Sequence, residues 1–198
     1  MKKTLCTIAA AFLLLGSVKQ ATAQTGQALN FSSGGNNYAI TSTNIAHGNH
    51  FTYEAWVNII TPSDWAGIMT TNTQTGQAQW VQFSINSAGN LRCEIVDDAN
   101  NNKTYDGTTV LTGSWHHVAI TFDGTSLLFY VDGNVETTTI FQDATLGTMT
   151  VNSLLNVGAE RSLGSQINGT IDAARVWNVT RTQAQIQSTM HIELTSAQ

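Results

Sequence analysis

The sequence predicts an all-β fold: a two-sheet antiparallel β-sandwich with one short C-terminal helix. Three observations predict it. Turn residues punctuate the chain roughly every ten residues, the segments between them alternate apolar with polar residues, and a helical pattern occurs near the end. The composition agrees. Of 198 residues, 41% are hydrophobic and only 11% charged, which is too apolar for a disordered chain. The length suits one domain with its own core, with no need of a disulfide.

The chain opens with Lys2 and Lys3, then the apolar stretch from Leu5 to Val18, then Ala21-Thr22-Ala23. A positive start, an apolar run and small residues at the two positions a peptidase reads make residues 1–23 a signal peptide, cleaved before Gln24. The domain then occupies 24–198. The apolar run is too short to span a bilayer of about 30 Å, so no membrane insertion is expected. The protein is expected to be secreted, extracellular or periplasmic. Removing the leader leaves five basic residues, Arg92, Lys103, Arg161, Arg175 and Arg181, against 13 acidic ones, hence a net charge of −8. Such a surface repels phosphate backbones and excludes nucleic acid as a partner. Cys93 is the one cysteine left, so no internal disulfide forms, and in a strand it reads as a small buried hydrophobe.

The strands follow from alternation. Phe51, Tyr53, Ala55, Val57 and Ile59 share one face of a first long segment. Val81, Phe83 and Ile85 do so after Trp80, and Leu91, Cys93 and Ile95 after the turn Ser87-Ala88-Gly89. That turn pairs Asn86 with Asn90, Ser84 with Arg92, Gln82 with Glu94 and Trp80 with Val96. The Asn/Asp-rich run from Asp97 to Lys103 is a loop. Val118, Ile120 and Phe122 turn inward, then Leu127, Phe129 and Val131 after the turn at Asp123-Gly124, and Asp132-Gly133 closes a further hairpin. Only Thr180 to Met190 has helical character, with Thr182 as its cap.

Several segments carry a family resemblance. They are Ala28-Leu-Asn-Phe31, Phe51-Thr-Tyr-Glu-Ala-Trp-Val57, Gly113-Ser-Trp-His-His-Val-Ala-Ile-Thr-Phe-Asp-Gly124, Leu128-Phe-Tyr-Val-Asp-Gly133, Leu155-Asn-Val-Gly158 and Gly169-Thr-Ile-Asp-Ala-Ala-Arg-Val-Trp-Asn178. In this order they resemble the laminin-G-like, concanavalin A-like jelly-roll domains. The resemblance implies a jelly-roll sandwich with a ligand-facing sheet, and in many members a structural calcium ion. Asp172 matches a common calcium ligand of those domains. Two other positions that usually hold Asp carry Ser32 and Asn37 here, which weakens a site that favours carboxylates. Trp56, Trp115 and Trp177 fall in framework segments and are expected to be structural.

For chemistry, the hairpin around Gly89 is the informative feature. Its outward face brings Trp80, Gln82 and Ser84 beside Arg92 and Glu94. An aromatic ring among amides and charges suits a sugar, whose C–H faces stack while its hydroxyls meet planar polar groups. Trp65, in the loop Pro62-Ser63-Asp64-Trp65, is a further contact. Glycosidic cleavage needs two carboxyls roughly 5–9.5 Å apart. Glu94 and Asp97 face opposite sides of a strand, and Glu94 and Asp98 lie about 13 Å apart along it. His116 and His117 are adjacent, so they point apart and cannot hold one metal. His47 and His50 flank a loop without supporting ligands.

The sequence therefore reads as a secreted, non-catalytic recognition module for carbohydrate or a glycosylated surface. A structural or adhesion domain that contacts extracellular protein without reading sugar is the alternative. A glycoside hydrolase is the reading the carboxylate spacing supports least.

Overall fold

The computed structural model describes residues 28–32, 37–71 and 79–192. The signal peptide and the cleavage before Gln24 lie outside the described residues. The chain begins with β1 (Leu29–Phe31), β2 (Ala39–Ile40), β3 (Ile45–His47), β4 (His50–Thr61) and β5 (Ala66–Thr71). It continues through β6 (Trp80–Ile85), β7 (Leu91–Val96), β8 (Asn102–Gly107), β9 (Trp115–Asp123) and β10 (Leu127–Val131). Then come β11 (Asn134–Val135), β12 (Thr138–Asp143), β13 (Val151–Ser153), β14 (Leu155–Val157) and β15 (Asn168–Trp177), and the helix α1 (Gln183–Thr189).

These strands form two large antiparallel sheets and a small pair. One sheet has the order β1-β15-β4-β9-β10-β11, the other β12-β8-β7-β6-β5-β14-β2, and β13 pairs with β3. The order jumps between distant segments, which is the connectivity of a jelly roll. Alternation decides which face of each strand is interior. Phe51, Tyr53, Ala55, Val57 and Ile59 are buried from one sheet, and Val81, Phe83, Ile85, Leu91, Cys93 and Ile95 from the other, in one continuous core. Cys93 sits inside it as a hydrophobe.

Local turn chemistry places the hairpins where the sequence puts them. Trp80 pairs with Val96, Gln82 with Glu94 and Ser84 with Arg92, and the Asn86 amide donates to Asn90 O at 2.9 Å. Asp132 and Gly133 both take positive φ, 50° and 74°, as a two-residue hairpin turn requires. The loop expected at 97–103 is shorter than the composition suggests, because β8 starts at Asn102. Lys103 is drawn into that strand by Asp143 on the adjacent β12.

The outer face of the six-stranded sheet is covered. Alpha-helix α1 lies on it, with Ile186 packed against Ala119 and Tyr130. Thr182 caps the helix as expected, in a reciprocal capping box with Gln185. The helix C-terminus is tied by cations and an indole: Arg175 donates to Thr189 O at 2.8 Å, Arg181 to Gln185 O at 2.6 Å and Trp56 Nε1 to Met190 O at 2.7 Å. Beneath it Glu54, 0% exposed, accepts from Arg181 at 3.1 Å and from Trp177 Nε1 at 2.9 Å. Trp56 and Trp177 are thus structural, as expected. Trp115 is not core: 43% of it is exposed at the start of β9.

Candidate functional site

The outer face of the seven-stranded sheet is built from two rows of side chains running across the strands. Register alone assembles the first: Asn156 on β14 lies beside Thr70 on β5, Gln82 on β6, Glu94 on β7 and Thr104 on β8. The second row sets Gly67, Ser84, Arg92, Asp106 and Thr139 side by side. Trp80 stands at one end of β6, and Trp65, just before β5, at the other.

A hairpin over residues 158–166 lies on this face. Ala159 bridges to Gln166, and the Glu160 amide donates to Ser165 O at 2.8 Å. Its backbone rests directly on β5 and β14: Thr70 Oγ1 donates to Ala159 O at 2.9 Å, and Asn156 Nδ2 to Glu160 O at 3.1 Å. The approach is so close that a Cβ on Gly67 would fall 2.1 Å from Ala159 O. Only glycine fits there.

This hairpin corrects one expectation. The sequence reads Gln82 and Ser84 as exposed on a half-wet face, yet Gln82 is 3% and Ser84 0% exposed. Both are buried between β5, on which the hairpin rests, and Arg92 and Glu94 on β7. Ser84 Oγ donates to Arg92 O at 3.3 Å. The buried Asn156 Oδ1 has no hydrogen-bond partner among the described residues. Buried polar atoms in folded proteins are nearly always satisfied, if not by protein then by water or ligand.

Trp80 is half-buried. Its Nε1 donates to Glu94 Oε2 at 2.7 Å, and the Arg161 guanidinium lies 4.1 Å above its ring centroid. The indole is therefore not the bare platform the sequence suggests: one ring face already carries a cation.

Arg92 does not pair with Glu94. Its Nε and Nη2 donate to Asp106 at 2.7 and 2.8 Å, and its Nη1 to Asp64 at 2.8 Å. The hydrogen bonds it donates to Asp106 chiefly raise its already high pKa. Its carbon lies 4.5 Å over the Trp65 ring, so the structure joins two residues the sequence lists separately. Trp65 reaches this position with φ 62°, a left-handed conformation that costs about 1 kcal/mol or more. With every nitrogen engaged, Arg92 braces the face and does not offer a free fork.

Asp97, 0% exposed, ties loops together: its carboxylate accepts from the amides of Ala99 and Asn101 at 2.9 and 2.8 Å and of Gly147 at 2.6 Å. His47 is buried and bonds the Tyr53 hydroxyl at 2.8 Å. His116 and His117 do point apart. His116 Nδ1 faces Asp132 at 2.8 Å and its Nε2 faces Ser114 Oγ at 2.9 Å on the open surface, while Asp132 also pins the His117 amide at 2.9 Å. His117 is buried under α1.

Asp172 is exposed, and its Oδ1 accepts from the neighbouring Ala173 amide at 2.7 Å. Asn37 donates to Ser32 Oγ at 2.8 Å, so these two satisfy each other. Among the described residues no three of His, Cys, Asp and Glu converge on a metal position. Asp172, Ser32 and Asn37 supply one carboxylate between them, where calcium takes six to eight oxygens with carboxylates favoured.

The family model described as the concanavalin A-like lectin/glucanases superfamily, of laminin-G type, matches residues 32–187. The chain belongs to that superfamily. No curated protein matches this concanavalin A-like chain by sequence. Among solved structures it is similar to domain 4 of an extracellular arabinanase from Geobacillus stearothermophilus in complex with arabinotriose. That match has a TM-score of 0.61 at 18% identity, over 85% of this chain and 78% of that one. It is similar to a heptameric pentraxin from Limulus polyphemus, with a TM-score of 0.57 at 16% identity over 76% and 73% of the two chains. It is also similar to the CBM40 module of a Ruminococcus gnavus sialidase bound to α2,3 sialyllactose, with a TM-score of 0.54 at 15% identity over 72% and 83%. At such identities the likeness establishes a lectin-like fold and nothing about ligand.

Sequence reasoning placed Trp80, Gln82, Ser84, Arg92 and Glu94 on one face, with Trp65 as a separate loop contact. It missed Arg161, Asn156, Thr70 and Asp106. Thr104 and Asp106 alternate with Tyr105 and were open to the same period-2 argument; Arg161 carries no local signal, since a distant hairpin delivers it.

Proposed function

We propose that this concanavalin A-like domain is a secreted, non-catalytic recognition module that binds carbohydrate on the outer face of its seven-stranded sheet. One observation carries the reading: the half-buried Trp80 and Glu94 are joined by a hydrogen bond of 2.7 Å on the face they share with Gln82. Such a face offers planar donors and acceptors to ring hydroxyls, next to an aromatic ring. The arabinotriose and sialyllactose held by two structures of this fold support it. The non-catalytic part rests on the acids. Asp106, diagonal to Glu94 across β7 and β8, has both oxygens taken by Arg92 and Asn86, which does not favour it as a partner of Glu94 in proton transfer.

A glycan array on the mature chain tests the reading. Binding to at least one glycan class, lost in Gln82→Ala with the melting temperature kept, is the expected result. An array without binding, with and without calcium, overturns it. The second reading, an adhesion domain that contacts protein, is favoured by edge strand β12, where Ile140 and Phe141 are more than half exposed. Secretion is tested separately: N-terminal sequencing of secreted protein should begin at Gln24.

A further inference from the structure

We propose that the ligand carries a carboxylate, and that Arg161 selects it: an acidic sugar in place of its neutral counterpart. The inference rests on the carbohydrate reading above. The five cations of the mature chain divide unequally. Arg92 is held by Asp106 and Asp64, Lys103 by Asp143, and Arg175 and Arg181 by Glu54. Arg161 has no acidic partner among the described residues. It is exposed on the binding face, over the Trp80 ring at 4.1 Å, and the Trp80 Nε1 in turn donates to Glu94 at 2.7 Å.

Its presentation is built. Arg161 occupies the turn of the 158–166 hairpin, where the Leu163 amide donates to Glu160 O at 3.0 Å and Leu163 itself takes φ 67°. The adjacent Glu160 does not neutralise it, because its carboxylate is turned into the hairpin, accepting from Ser162 Oγ and from the Gly164 amide at 3.2 Å. The guanidinium sits over the indole, and its N–H groups have no hydrogen-bond partner among the described residues. A planar fork held in place matches a carboxylate bidentately. Glu94 and Gln82 beside it meet hydroxyls, so the fitting ligand has one carboxylate on a hydroxylated ring. The acidic remainder of the chain repels such a ligand, which makes this one cation decisive.

The test is calorimetric titration of the mature chain with matched pairs: trigalacturonate against its methyl ester, and 3′-sialyllactose against lactose. These arms separate a uronic from a ulosonic acid. At least one acid should bind about 10-fold or more tightly than its neutral partner, the size of one charge-assisted hydrogen-bonded contact. Arg161→Met keeps the apolar stem on Trp80, and should bring the acid to the affinity of the neutral sugar. Arg161→Lys, with charge but no fork, should recover only part of the preference. Equal binding of acid and neutral forms overturns this inference alone, as does a preference that survives Arg161→Met. No binding of any sugar overturns it together with the carbohydrate reading.

Discussion

Trp80 and Phe83 are three residues apart on one strand and face opposite ways, and their substitutions separate binding from folding. Phe83 is wholly buried in the core, so Phe83→Ala should cost roughly 3–5 kcal/mol through the cavity it leaves. Trp80 is half-buried, with its hydrogen bond to Glu94 and its contact with Arg161 at the surface. Trp80→Ala should cost about 1–2 kcal/mol and remove sugar binding, checked by urea denaturation and titration on the same samples. A loss for Trp80 equal to that for Phe83 would make it a core residue. Asp172 gives the opposite kind of test. Its carboxylate serves only its own turn, so Asp172→Asn should shift stability by less than about 0.5 kcal/mol. It should also leave the melting temperature equally insensitive to millimolar calcium and to chelator. A calcium-induced rise that Asp172→Asn abolishes would restore Asp172 as a ligand.

At the scale of elements, the decisive piece is the 158–166 hairpin seated on Gly67. Gly67→Ala puts a methyl group into the Ala159 carbonyl, and backbone has nowhere to yield while Thr70 and Asn156 also hold it. The expected cost is about 2–4 kcal/mol. Sugar binding should weaken even well below the melting temperature, because Arg161 moves with the hairpin; thermal melts and titration of the same variant check both. The contrast with the β6–β7 hairpin explains what the sequence conveys. That hairpin is local: alternation fixes which face of Val81 and Phe83 turns inward, and Asn86 to Asn90 fixes the register, so Trp80, Gln82, Ser84, Arg92 and Glu94 were all legible as one surface. The cap at Thr182 and the turn at Asp132 were legible for the same reason. The burial of Gln82 was not, since the hairpin beside it arrives from some 80 residues away in sequence. Arg92 pairing with Asp64 and Asp106, and not with Glu94, likewise depends on β5 and β8 flanking the hairpin.

The molecule as a whole should lose stability on the acid side in two stages. His47 and His117 lie in separate parts of the sandwich, one bonded to Tyr53 and one under α1 near Arg175. Burial lowers the pKa of each from 6.5 to about 4; for His117 the charge of Arg175 adds to it. A histidine with its folded pKa depressed takes up its proton in the unfolded chain first. Folding is therefore fully supported above about pH 6.5 and loses support as pH falls towards 4. Each buried imidazole accounts for a loss of at most about 3 kcal/mol over that window. The carboxylates act lower. Burial works against the charge on Asp97, yet the hydrogen bonds from Asn101, Gly147 and Ala99 prevail and hold its pKa below the usual value. Asp123 is lowered chiefly by the Ser126 amide. Their support persists above the ordinary carboxylate value near 3.8 and disappears as pH drops through the folded values. Both groups act with the same sign, so the melting temperature should be flat from pH 8 to 7, fall between 6.5 and 4, and fall again below. The double variant His47→Gln, His117→Gln isolates the first stage: its melting temperature is lower at pH 7, but its decline between 6.5 and 4 should nearly vanish while the fall below pH 4 remains. A decline of unchanged size in that variant would assign the first stage to other groups.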